Sequence, residues 1–224
     1  YQQKDILFAH ICQSDFDGYQ KLSPEHLGII VPAGVDIYPL ENSHQFDGIL
    51  RLLFVGSLSV KMNYDALIFF NKHFWNYLKN MFRSKIEFMV AGSNPSSSVQ
   101  ELANREQWPL FANLDDTELH ALYQKANFAV LPFPYTTGAK LKLLNSMVHG
   151  LPVLGTKNML SLPQQDFSPN YYSDSPTDWS KHLSKFISAG VSESDKKKCQ
   201  DYASQFSWRK IIEEFEEQLK SSGI

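Results

Sequence analysis

Cysteine is nearly absent. The 224 residues hold two, Cys12 and Cys199, far apart in the chain. That spacing gives neither a disulfide framework nor a zinc motif, and it implies a reducing compartment. Charge of one sign is lacking as well. Lys and Arg number 21 against 24 Asp and Glu, a formal net charge of -3. With no basic surplus, nucleic acid is not an expected partner. No apolar run is long enough for a transmembrane segment. The first ten residues lack a signal-peptide layout. Internal repeats and low-complexity tracts are missing too. What is present is apolar: 43% hydrophobic and 13% aromatic residues, enough for a packed core and too many for disorder. The length predicts one large domain, or one domain plus a fragment. The chain opens in mid-pattern on a strand-like run, as a piece of a longer protein would.

The pattern along the chain is strand, turn, helix, repeated. Asp5 to Cys12 reads as a buried strand, followed by a short helix capped by Ser14 and a second strand over Gly28 to Val31. Residues 38 to 48 read as a linker or loop. Leu50 to Val55 is a strand closed by Gly56-Ser57. Asn63 to Leu78 has Leu67, Phe70, Phe74 and Tyr77 at helical spacing, a core-facing stripe. Ile86 to Ala91 is a strand, Val99 to Glu106 a helix and Leu110 to Ala112 a short strand. Asp115 with Glu118 predicts a capping box. Ser175-Pro176 starts another helix, Ser192 to Gln205 is charged and helical, and Ser207 caps the last one. Its stripe of Trp208, Ile211, Ile212, Phe215 and Leu219 needs something to dock on.

The organising stretch runs from Leu131 to Thr156. An apolar run ends at Pro132 to Pro134, and a polar turn follows, Tyr135-Thr136-Thr137-Gly138. Leu141, Leu144 and Val148 then share a helical face. Gly150 stops the helix and Leu151 to Leu154 starts a strand. Gly138 falls at the helix start, where free N–H groups and the helix dipole favour an anion. Lys140 and Lys142 stand in the first turn, where cations oppose the dipole unless something negative docks there. The spacing fits a phosphate site. It also fits two solvated lysines and a glycine serving only the turn. Strands alternating with helices predict a parallel α/β sheet covered on both faces, with ligands at the carboxyl ends of the strands. No G-x-G-x-x-G fingerprint or P-loop occurs.

Three segments carry a resemblance. Val31-Pro32-Ala33-Gly34-Val35-Asp36 is similar to a V-P-N-G-V-D segment. Phe54-Val55-Gly56-Ser57 through Asn63 is similar to V-G-S-x-x-x-x-P-N. Gly138 through Val153 is similar to G-x-x-x-K-x-L-E-A-M-x-x-G-x-P-V. In this order they resemble the C-terminal, donor-binding domain of retaining GT-B-fold glycosyltransferases of the group 1 type. The resemblance implies one Rossmann-like half of a GT-B fold over residues 31–206. Residues 1–30 would end a mostly absent N-terminal domain, and 207–224 would form a helix crossing back to it. It implies a nucleotide diphosphate sugar as donor substrate, with no metal or other cofactor. Partners would be an acceptor glycan or lipid-linked glycan and the chain's own N-terminal domain. The setting would be polysaccharide biosynthesis in the cytoplasm, free or peripheral at the membrane.

By the same resemblance, Gly56 and Ser57 face the diphosphate, with Lys61 nearby. Gly138, Ala139 and Lys140 hold it through N–H groups and charge, and Lys142 adds charge or pairs structurally. The backbone at Asn113 and Leu114 meets the base, and Asn145 reaches the ribose. The chain departs from the pattern in four places. Ser57 stands where many relatives carry Arg, and Met62 where they carry Lys. Thr137 and Asn145 replace a pair of Glu. An Asn accepts with one oxygen where a carboxylate has two and a charge, so its grip on a ribose is weaker. These departures leave open a second reading, a degenerate transferase-like binding or assembly module. A sugar-nucleotide epimerase of the same shape fits the segments less well. Asp15-Phe16-Asp17 formally matches a D-x-D metal pattern, but two acids in the first turn of a helix explain it more simply.

Overall fold

The computed structural model describes residues 6–40, 46–135, 141–160, 162 and 164–221. The chain opens with a small unit: β1 (Leu7–His10), α1 (Gln13–Leu22) and β2 (Leu27–Ile30), the two strands paired in parallel. The cap of α1 is the extended Cys12 rather than the expected Ser14. Asp15 and Asp17 stand in the first turns of that helix, and Gln13 donates to Asp17. No metal-holding cluster of His, Cys, Asp or Glu occurs among the described residues.

The main sheet follows. Its strands are β3 (Leu50–Val55), β4 (Ile86–Gly92), β5 (Leu110–Ala112), β6 (Phe128–Leu131), β7 (Val153–Gly155) and β8 (Tyr171–Tyr172). Among the described residues they pair in the order β5-β4-β3-β6-β7-β8, every pair parallel. The central strands are largely apolar because both faces are covered; the exceptions, Arg51 and Glu87, pair with each other near the strand starts. Leu50, Leu52, Leu53, Phe54, Phe128 and Val130 are buried. The order grows outward from β3 to β5, then returns to β6 on the other side. β3 and β6 therefore flank the switch point, where an α/β sheet leaves a crevice beyond its strand ends.

The helix after β3 is longer than its apolar stripe predicts. It runs as α2 (Lys61–Phe70), a π-helical stretch from Asn71 to Trp75, and α3 (Asn76–Phe82). The extra residue per turn accompanies a dense aromatic layer. Phe74 lies 4.3 Å from Trp179 between ring centroids, and Phe70 lies 4.4 Å from Phe88. Each such side chain contributes roughly 1.5–3 kcal/mol by leaving water.

The remaining helices are α4 (Ser97–Glu106), α5 (Asp116–Lys125), α6 (Leu141–Val148), α7 (Pro176–Leu183), α8 (Glu193–Ala203) and α9 (Trp208–Ser221). The capping box at Asp115 and Glu118 is present, and Ser175 caps α7 with Pro176 in its first turn. The short strand β8 is an addition to the expected elements. The segment over residues 31–40, which leads into the linker, runs beside α9: Val35 bridges Ser207, and Trp208 lies against Gly34. No described helix is long and apolar enough to cross a membrane.

Candidate functional site

The switch point puts Gly56 and Ser57, beyond β3, across from Pro132 to Pro134, beyond β6. The turn after β3 is held tightly. The Gly56 N–H donates to Ala91 and the Leu58 N–H to Ser93, both beside β4. Asn63, only 3% exposed, donates its amide to the Ser57 carbonyl at 2.7 Å. Its other amide atom, Oδ1, is buried with no partner among the described residues. A side chain at Gly56 would come within 3.1 Å of both the Asn63 amide and Lys142 Cε. The glycine is thus the space into which Lys142 reaches.

Lys142 stands in the first turn of α6. Its ammonium lies 5.7 Å from the centre of the Phe133 ring, a cation–π contact. Burial pushes its pKa below the ordinary lysine value. No carboxylate of the described residues pairs with it; the described salt bridges lie elsewhere. A half-buried cation held at a strand-end crevice without a counter-ion is favourable once an anion arrives.

Lys61, the other lysine on this edge, is differently placed. It is the first residue of α2 and its side chain is 84% exposed. Both oxygens of Asp65 hold its ammonium, at 2.6 and 2.8 Å. Tyr135 donates to the same carboxylate at 2.6 Å. The Lys61 contact, then the Tyr135 hydroxyl, holds the Asp65 carboxyl below its ordinary range. Lys61 therefore brings less free charge to the crevice than its sequence position suggests. Met62, where relatives carry Lys, is partly buried against the core.

The loop after β6 is pinned from two sides. Thr156 Oγ1 donates to the Phe133 carbonyl at 2.6 Å, and the Asn158 amide to that of Pro134 at 2.7 Å. Tyr135 then ties the loop to α2 through Asp65. The next residues, Thr136 to Lys140, lie outside the described residues. The expected phosphate contacts of Gly138, Ala139 and Lys140 lie there too.

Asn113 and Leu114 follow β5. Asn113 has a positive φ of 54°, donates its N–H to Gly92 and accepts the Asn94 N–H on its side chain at 2.8 Å. It braces two loops of the same edge. Leu114 is partly buried on the core. Asn145 is exposed on α6, three residues beyond Lys142 and thus on the same side of the helix.

Three contributors were given no site role in the sequence reading: Asn63, quoted only as part of a segment, Asp65, and Tyr135, quoted only as part of a turn. Asn63 was visible in principle, because Asn63, Ala66, Leu67 and Phe70 share one helical stripe, and an Asn on a core stripe needs a reason. The Lys61–Asp65 pair has the i,i+4 spacing of a helical ion pair. Tyr135, far along the chain, had no local signal.

His149, one turn beyond Asn145, lies between two tyrosines. Its ring stacks on Tyr123 at 4.1 Å and on Tyr38 at 4.9 Å. Burial, and secondarily the like charge of His120, lower its pKa. His182 stacks on Tyr171 at 4.5 Å and is lowered by burial too, with Lys185 adding to it. Both imidazoles are therefore favoured neutral in the fold. Their contribution to stability is present above the unfolded histidine pKa of about 6.5 and is lost as pH falls through the lowered folded values. Thermal melts should show a lower Tm near pH 5 than near pH 7, and His182→Gln should flatten that slope. A level profile across the interval would contradict the assignment.

The fold is shared with solved glycosyltransferase structures. A mutant of S. aureus TarM, solved in complex with fondaparinux, alpha-GlcNAc-glycerol and UDP, superposes with a TM-score of 0.64 at 10% identity. That match spans 92% of this chain and 42% of that one. The apo structure of OtsA superposes with a TM-score of 0.62 at 11% identity, over 96% of this chain and 60% of that one. The chain thus spans about two fifths to three fifths of these relatives. Its Rossmann-like sheet is one half of their GT-B arrangement. No curated protein sequence matches the chain. The family described as Glycosyl transferases group 1 matches residues 50–187, more than half of the chain and every strand of the main sheet. On that match, borne by a parallel sheet of the same arrangement, the chain belongs to the glycosyl transferases group 1 family.

Proposed function

We propose that this chain is the donor-binding part of a glycosyltransferase. The transferred sugar comes from a nucleotide diphosphate sugar. The observation that carries the reading is Lys142, half-buried, seated on Phe133 and reaching over Gly56 with no carboxylate partner among the described residues. As the glycosidic bond breaks, charge grows on the leaving diphosphate. A pre-placed ammonium stabilises that charge more than it stabilises the ground state, and by the family resemblance the N–H groups following Gly138 would add to it. The scheme calls on no metal. The acceptor, a glycan or lipid-linked glycan, and groups from an N-terminal domain would meet this half from the other side of the cleft, so this chain alone binds donor without turnover.

Calorimetric titration of the chain with nucleoside diphosphates tests the reading. Saturable heat at micromolar to millimolar concentration, lost on adding excess inorganic pyrophosphate, is the expected result. Folded protein giving no heat with any of them would refute it. A second reading, a degenerate module that binds without catalysis, draws on Met62 packed against the core, Lys61 held by Asp65 and Asn145 in place of Glu. Transfer or hydrolysis of a sugar nucleotide by the longer protein separates the two.

A further inference from the structure

Beyond Asn145, α6 opens on a cavity of about 220 Å³, between the segment over residues 31–40, α5, α6 and the start of α9. Lys142, Asn145 and His149 follow one another at helical spacing, so the crevice and this cavity share one side of α6. Tyr38 and Trp208, both exposed, supply its open aromatic surface, with His149 and Tyr123 stacked behind Tyr38, and Asp36 and Asp116 supply its carboxylates. Both aspartates are exposed, and neither pairs with a cation among the described residues. No described lysine or arginine lines the cavity.

We propose that this cavity seats the base of the donor nucleotide, and that the base is guanine. The inference rests on the reading of Lys142 as a diphosphate ligand. Asn145 then falls between the two ends of the nucleotide, where the ribose lies. Aromatic faces accept any base by stacking, so the polar groups decide which one. Guanine presents two neighbouring donors, N1–H and the N2 amino group, with no acceptor between them. A carboxylate accepts from both. Uracil offers one N–H flanked by two carbonyl oxygens, which a carboxylate repels. Adenine and cytosine place a ring acceptor beside their amino group. Of the four bases, guanine alone suits two unpaired aspartates. The seat also differs from the expected one at Asn113 and Leu114. That expectation concerned the backbone of Asn113 and Leu114, whereas the carboxylates named here include Asp116 at the start of α5. The UDP in the TarM structure does not bear on the base, because at 10% identity that likeness carries the fold alone.

Trp208 provides the probe. It is 45% exposed, whereas Trp75, Trp108 and Trp179 are at most 4% exposed. The chain is titrated with GDP, IDP, UDP and ADP while tryptophan emission is followed, with calorimetry in parallel. GDP should quench Trp208 and bind about tenfold more tightly than IDP, which lacks the N2 amino group, and more tightly still than UDP or ADP. Asp36→Ala with Asp116→Ala, at unchanged Tm, should bring GDP to the affinity of IDP. Trp208→Phe should remove the quench while calorimetry still reads GDP binding, at an affinity lowered by the smaller ring. If UDP or ADP binds as tightly as GDP, and Lys142→Met weakens that binding, the guanine assignment falls and the diphosphate reading stands. If no nucleotide binds, both fall.

Discussion

Gly92→Ala lowers the stability of the chain by about 3 kcal/mol or more, the largest effect expected of any conservative change here. A Cβ built on Gly92 overlaps the carbonyl oxygen of Gly56, and it also stands 3.0 Å from Leu58 Cγ. A flexible side chain can step aside, but a neighbouring strand's backbone cannot without breaking pairing. Gly56 is tied to the Ala91 carbonyl and Leu58 to Ser93, so the strand ends must part together. For a domain of this size the loss corresponds to a fall in Tm of roughly 6–12 °C. Thermal and denaturant melts measure it. Gly18→Ala is the control: nothing lies within 4 Å of its added Cβ, and it sits inside α1. There alanine should stabilise by about 0.5–1 kcal/mol, because it suits a helix better. Equal effects at the two positions would show that the contact between Gly56 and Gly92 does not constrain the fold.

Lys142→Met separates binding from stability. The methionine keeps most of the stem packed beside Gly56 and Phe133 and removes the charge. A hydrogen bond to a charged group is worth about 1.5–3 kcal/mol, so nucleoside diphosphate affinity should fall about 10- to 100-fold. The Tm should hold or rise, because burial disfavours the ammonium and no described carboxylate offsets that cost. Lys61→Met should cost much less affinity, since the exposed Lys61 already spends its charge on Asp65. If the two substitutions cost the same, the assignment of Lys142 as the principal cation is wrong. If Lys142→Met unfolds the chain, its role is structural.

Much of the architecture was legible in the residues because its causes are local. Leu50 to Val55 and Ile86 to Ala91 read as strands, since runs that are apolar on both faces apart from one residue near the start suit the middle of a covered sheet. Asp115 with Glu118 and Ser175 with Pro176 announced helix starts, because caps act over three residues. Where a local rule met a tertiary demand, the tertiary demand won. The helix expected over Asn63 to Leu78 became longer and took in a π-helical stretch beside Phe74 and Trp75. Ser14, a good cap by type, lies inside α1, and its hydroxyl contacts Cys12 instead.

The sequence by itself determined the order of the elements, the absence of a disulfide framework and the three segments that resemble the family. Each of these is written within a few residues of chain. Only the tertiary structure decided which of Lys61 and Lys142 has a carboxylate partner among the described residues. Lys142 meets a ring and a glycine gap, while Lys61 meets Asp65 and, through it, Tyr135 from 70 residues away. It also decided that Gly56 and Gly92 must both lack a side chain, and that Asp36, Asp116 and Trp208 share one cavity. Those facts depend on which segments come close in space, and closeness is set by strand order and packing rather than by any single segment.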